Sequence, residues 1–117
     1  MAFIPQMSRN VEVVEASPDR LTLKGALTFE TARFAYEAGL RTIQSGSSSP
    51  LQIDCAGVNE SDSAGLAVLI EWLASATRAR RTLTFANLPD GIRAAAQISD
   101  VTFILEGKTE SMPAPAR

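Results

Sequence analysis

The sequence predicts an α/β domain, a mixed β-sheet flanked by helices in the order β-β-α-β-α-β-α-β, and three observations carry that reading. Two β-rich runs, Val11 to Ala16 and Leu21 to Gly25, are separated by Ser17-Pro18-Asp19-Arg20, a polar break with the composition of a hairpin turn. Beyond them, short apolar runs bounded by Gly and Pro alternate with stretches in which apolar residues recur every three or four positions. A strand that follows a helix of about 16 residues needs a crossover connection, which predicts a parallel neighbour and a right-handed link.

Taken in order, Met1 to Asn10 is a polar lead-in where Pro5 opposes helix, and fraying is the default for such an end. Alternation in the hairpin puts Val11, Val13, Leu21 and Leu23 on the buried face. Thr28 is placed to cap the first helix, with Glu30 in its first turn where a negative charge meets free N–H groups. Phe29, Ala32, Tyr36, Leu40 and Ile43 then form one apolar stripe, and Gly46, the run Ser47 to Ser49 and Pro50 end the helix. Leu51 to Cys55 reads as a central strand, Ala56 to Asp62 as a loop, and Ser63 to Ala79 as the second helix. Thr82 to Ala86 is the next strand, Asn87-Leu88-Pro89 opens a third helix running to Ile98, and Val101 to Leu105 is a last strand or extended segment. The expected folded unit is 10–105, with 1–9 as lead-in and 106–117, which holds Pro113 and Pro115, as a loose tail.

Composition narrows the function. The 117 residues suffice for one domain with a small core. Eleven Lys and Arg against thirteen Asp and Glu give a net charge of -2, and the basic cluster Arg78, Arg80 and Arg81 reads as the solvated end of the second helix or as a contact for an acidic partner. A nucleic-acid binder would show a basic stripe with stacking aromatics instead. The single cysteine, Cys55, excludes an intrachain disulfide and multi-cysteine metal patterns, points to a reducing compartment, and reads as a small buried hydrophobe. Histidine is absent, which removes the usual base of a hydrolytic triad. Gly57 and Gly65 lack the spacing of a phosphate loop, and Asp54 and Asp62, supported only by Glu60, make a poor metal site, so neither cofactor nor metal is expected. The longest apolar stretch, Gly65 to Ile70, falls far short of the roughly 20 residues that span a bilayer, so direct transmembrane insertion is not expected and any membrane connection must run through a partner.

The segment with most information is Asp62-Ser63-Ala64-Gly65-Leu66. Asp62 or Ser63 can cap the second helix, and the small residues after it keep its first turn narrow. At about 100° per residue, Leu66, Leu69, Ile70, Leu73 and Thr77 share one side, expected to be buried. Ala64, Val68, Glu71, Ser75 and Arg78 fall opposite, with Ala67 and Trp72 on the flanks. Small residues beside an aromatic permit close approach by another protein, although Trp72 can equally cover the sheet edge. Ser63 has three readings: a cap, a contact hydroxyl, or a phosphoacceptor at a helix N-terminus.

These residues resemble the STAS domain family, and within it the MlaB-like cytoplasmic subunits of Mla-type phospholipid ABC transport systems. Leu51-Gln-Ile-Asp-Cys-Ala-Gly-Val58, followed by Asp62-Ser-Ala-Gly-Leu-Ala-Val-Leu-Ile-Glu-Trp-Leu73, is similar to the family's central strand, signature loop and second helix, and Phe85-Ala-Asn-Leu-Pro-Asp-Gly-Ile92 to the next strand and the entry of the third helix. The resemblance runs from Asn10 to Leu105. It implies a STAS-like fold and a non-enzymatic accessory role: MlaB-like proteins bind the ATPase, and through it the membrane permease, of an inner-membrane complex that moves phospholipids and maintains outer-membrane lipid asymmetry. The implied location is cytoplasmic, peripheral to the inner membrane. Carried onto this chain, Ser63 takes the hydroxyl position at the partner interface, with Asp62, Ala64 and Gly65 beside it and Ala67, Val68, Glu71, Trp72 and Ser75 continuing the surface. The alternative within the family is an anti-sigma factor antagonist, in which Ser63 resembles the serine phosphorylated by an anti-sigma factor serine kinase; Ala64, Glu71 and Trp72 depart from that branch. A small-ligand-binding domain would need an apolar pocket lined by Asp54 and Asp62.

Overall fold

Alternating burial along the hairpin fixes which face of the sheet becomes the core. In β2 (Val11–Ser17) and β3 (Arg20–Leu27), Val11, Val13, Leu21 and Leu23 are buried while Glu12, Val14, Thr22 and Lys24 point the other way. The computed structural model describes residues 6–7, 10–45 and 49–98. Within them a five-stranded sheet has the order β1-β2-β3-β4-β5, every strand lying beside its neighbour in sequence. β1 (Gln6–Met7), read from sequence as unpatterned lead-in, pairs antiparallel with β2. The expected hairpin joins β2 and β3, with Glu15 opposite Leu21 and a register shift before Ser17. β4 (Leu51–Ser61) and β5 (Leu83–Ala86) add in parallel, each reached through a helix: α1 (Ala32–Ile43) and α2 (Ser63–Arg78). α3 (Asp90–Ile98) follows, and the expected strand from Val101 to Leu105 and tail from 106 lie outside the described residues.

All three helices join one core. Leu23, Ile53, Cys55, Ala38, Leu69, Trp72 and Ile92 belong to a single cluster, which puts the helices on one face of the sheet and leaves Thr22, Asp54 and Thr84 on the other. The first helix departs from its expected position. Thr28 closes a turn instead of capping a helix: the Thr31 N–H donates to the Thr28 carbonyl at 3.0 Å, and the Thr28 N–H donates to the Thr31 hydroxyl at 2.9 Å. Glu30 therefore precedes α1, and Phe29, expected in the apolar stripe, is 82% exposed. Ile43 is fully buried at the end of α1, but the middle of the helix buries small residues, Ala35, Ala38 and Gly39, because it packs closely against Trp72. A Cβ on Gly39 would sit 2.5 Å from the indole ring.

Two further expectations are corrected. The segment Ala56–Ser61 is strand, not loop, since β4 runs past the end of β5 and pairs with Lys24–Leu27 through two register shifts. Arg81 is 3% exposed, whereas Arg78 and Arg80 are the solvated cations expected of that cluster. Arg80 takes a left-handed conformation (φ 58°), its N–H bonding to the Thr77 carbonyl and that of Arg81 to the Ala76 carbonyl, which closes α2 in a Schellman arrangement. The chain thereby turns inward, and the Arg81 guanidinium donates to the carbonyls of Ser49 (2.6 Å), Thr42 (2.8 Å) and Pro18 (3.0 Å).

Candidate partner-docking site

The overhang of β4 carries Asp62 beyond the body of the sheet to the point where α2 begins. There Asp62 is extended (φ -144°, ψ -170°), and one carboxylate oxygen accepts from the N–H groups of Ala64 (2.9 Å) and Gly65 (3.3 Å), two donors the first turn of a helix leaves without partners. The other oxygen accepts from the Phe29 N–H at 3.1 Å. One side chain thus caps α2 and ties the β3–α1 turn to it. Gly65 is buried because the turn packs on the end of β3; a Cβ there would collide with the Leu27 carbonyl oxygen.

Ser63, the first residue of α2, is exposed, and its hydroxyl has no hydrogen-bond partner among the described residues. An apolar trough of about 360 Å³ lies between α1 and α2, beginning at the next residue, Ala64. Ala32, Arg33 and Tyr36 form one side; Ala64, Ala67, Val68 and Glu71 form the other.

Of the residues the sequence marks for a partner, Ala64, Ala67 and Glu71 line this trough, and Asp62 and Ser63 are exposed at the start of the same helix. Val68 is nearly buried in the trough floor, and Trp72 and Ser75 are not on the surface at all. Trp72 is 0% exposed, lies over Gly39 and donates its indole N–H to the Tyr36 carbonyl at 3.0 Å. Ser75 accepts from the Arg78 guanidinium at 3.1 Å. The buried arc of α2 is rotated by roughly a quarter turn from the expected one, because α1 claims the Val68-Trp72-Ser75 side while the sheet takes Leu66 and Leu69. Phe29, Arg33 and Tyr36 were missed, since each comes from the other helix or the turn before it. The pair of threonines flanking Phe29-Glu30, either able to start the helix, was the available signal.

The remaining candidates resolve into structure. Asp54 has both carboxylate oxygens engaged, by Asn87 (3.0 Å) and the Ala56 N–H (2.9 Å) on one and by Arg20 (2.9 Å) on the other. The Asn87 amide, the Ala56 N–H and Arg20 hold this carboxyl below the usual carboxylate range. Neither Asp54 nor Asp62 lines the trough between α1 and α2, and no cluster of three metal-ligating side chains occurs among the described residues. Cys55 is buried as expected, and burial, with the nearby Asp54 charge, pushes its thiol up to about 12, so it stays protonated near neutrality.

The architecture is similar to that of a solved structure of the anti-sigma factor antagonist SpoIIAA in its unphosphorylated form, with a TM-score of 0.61 over 79% of this chain and 82% of that one at 10% identity, a likeness of fold. No curated protein matches the chain significantly. A family model described as "Mlab, STAS domain" matches residues 12–106, and the chain belongs to that family of STAS domains.

Proposed function

We propose that this protein is a non-catalytic accessory subunit that binds the ATPase of an inner-membrane phospholipid ABC transporter on the cytoplasmic side and supports its work in maintaining outer-membrane lipid asymmetry. The observation that carries the reading is the match of residues 12–106 to the MlaB-type family model. Ser63, Ala64 and Ala67 form a small-residue surface that lets a partner approach closely. No helix among the described residues is long and apolar enough to cross a membrane, and on this reading the membrane contact belongs to the permease. A bound subunit acts on an ATPase only through differential affinity, stabilising the conformation it binds better.

The test is affinity capture from native cells with Ser63→Glu in parallel. The substitution puts a charge on an exposed helix start, where it is tolerated by the fold but must be desolvated on docking. Recovery of an ABC ATPase with its permease, lost in the variant, supports the reading; undiminished recovery by the variant removes Ser63 from the interface.

A second reading, anti-sigma factor antagonism, is favoured by the exposed Ser63 hydroxyl, which is accessible to a kinase at the start of α2. Capture of a soluble serine kinase, with phosphate on Ser63 and no transporter subunit, would establish it.

A further inference from the structure

We propose that the docking surface receives an amphipathic helix with a cationic flank, contributed by the ATPase, and that Phe29 is the aromatic anchor of the contact. The identity of the partner rests on the transporter reading above; the shape and charge of the surface do not.

Phe29 is exposed without being loose. It sits at the tip of the turn closed by Thr28 and Thr31, and its own N–H is held by Asp62, whose other oxygen caps α2. An exposed aromatic on a turn whose backbone is held by three hydrogen bonds has only side-chain freedom left to lose on docking, and aromatic side chains dominate the energetics of many interfaces. Asp62 is the positioning residue, because it holds the backbone of Phe29 against the start of α2.

Through its N–H bond to Asp62, Phe29 lies at the start of α2, next to the helix turns that line the trough. Ala32 lies about one turn further along the chain, and Ala64 is held by the same Asp62 carboxylate; both line the trough, with Ala67 beyond. Alanines on both helices allow a third helix backbone to approach, and a groove between packed helices accepts apolar side chains spaced at i, i+3, i+4 and i+7.

Charge selects the flank of that helix. Among the described residues, Glu30, Glu60, Asp62 and Asp90 are exposed around the starts of the three helices and Glu71 lines the trough, against Arg33 in the trough and exposed Arg93 on α3. Arg33 is already paired with Glu37 at 3.4 Å. Exposed Arg41, Arg78 and Arg80 lie at the far ends of the same helices. A partner helix carrying Lys or Arg beside its apolar stripe is steered toward the acidic end and away from the basic one.

The experiment places the photo-crosslinker p-benzoylphenylalanine at position 29, at 67, or at 22 on the open sheet face, in the full chain in its native cells, and maps the crosslinks. Crosslinks from 29 and 67 to one Lys- or Arg-flanked helix of the ATPase are expected, together with a roughly thirty-fold loss of affinity for purified ATPase in Phe29→Ala and an unchanged melting temperature. Crosslinks to the ATPase from 22 but not from 29 or 67 overturn the proposed surface and leave the transporter reading standing. Crosslinks from 29 and 67 to a serine kinase, with none to the ATPase from any position, overturn both.

Discussion

An arginine lies inside this domain and a phenylalanine lies outside it, at opposite ends of the same helices. Arg81 has its charge surrounded by three backbone carbonyls, from the β2–β3 turn, the end of α1 and the segment before β4, so the chain itself satisfies it. Phe29 is held through its backbone alone, and its ring is 82% exposed. A buried cation with every need met internally is architecture. An apolar ring left exposed on a fixed backbone is surface that something else can cover. The comparison separates residues that hold the fold from those free to act on a partner, and hydrophobicity by itself would have sorted them the wrong way round.

Substitutions at each end sharpen it. The largest effect is expected at Trp72, which sequence grouped with the surface and the structure places between α1 and α2. Trp72→Ala should destabilise the domain by about 3–5 kcal/mol in urea unfolding, from lost burial and a cavity over Gly39. An unchanged midpoint would return Trp72 to the docking surface. Next comes Arg81→Ala, expected to cost about 2–4 kcal/mol because three carbonyls lose their donor and water can reach only some of them. Arg81→Lys should recover only part of that, since an ammonium lacks the planar fork that serves three acceptors. If Arg81→Ala cost no more than an ordinary surface change, within about 0.5 kcal/mol, the contrast with Phe29 would collapse.

The part of this arrangement legible in the sequence was the part encoded locally. The hairpin break at Ser17 to Arg20, the strand-helix alternation and the Asp62 cap each depend on residues within a few positions of one another, and each formed as expected. The facing of α2 was not legible, because it depends on where α1 packs, and that depends on Gly39 and Ala35, which carry almost no hydrophobic signal. The same holds for Arg81: its composition says solvent, and only three carbonyls distant in sequence bring it inside. Phe29 reads as one more member of an apolar stripe until the turn at Thr28 and Thr31 lifts it off the helix. At the candidate site, sequence supplied the α2 half of the surface and missed the half that α1 contributes.

The smallest effect is at Asp54, on the open face of the sheet. Its carboxyl is held below the ordinary range, so it contributes stability that is complete above a pH of about 4 and is lost as pH falls through its folded-state value. The stability difference between the wild type and Asp54→Asn should therefore be larger at pH 7 than at acid pH. A difference independent of pH would mean that Asn87, Ala56 and Arg20 do not favour the charged form.

The central claim is that the Phe29–Ser63 end is spare for folding and reserved for a partner, and amide hydrogen exchange of the free domain and of its complex with the ATPase tests it most directly. Added protection should fall on residues 28–36 and 62–71 and leave the Arg81 end unchanged. Protection confined to the open face of the sheet, or to the segment around Arg81, would contradict it.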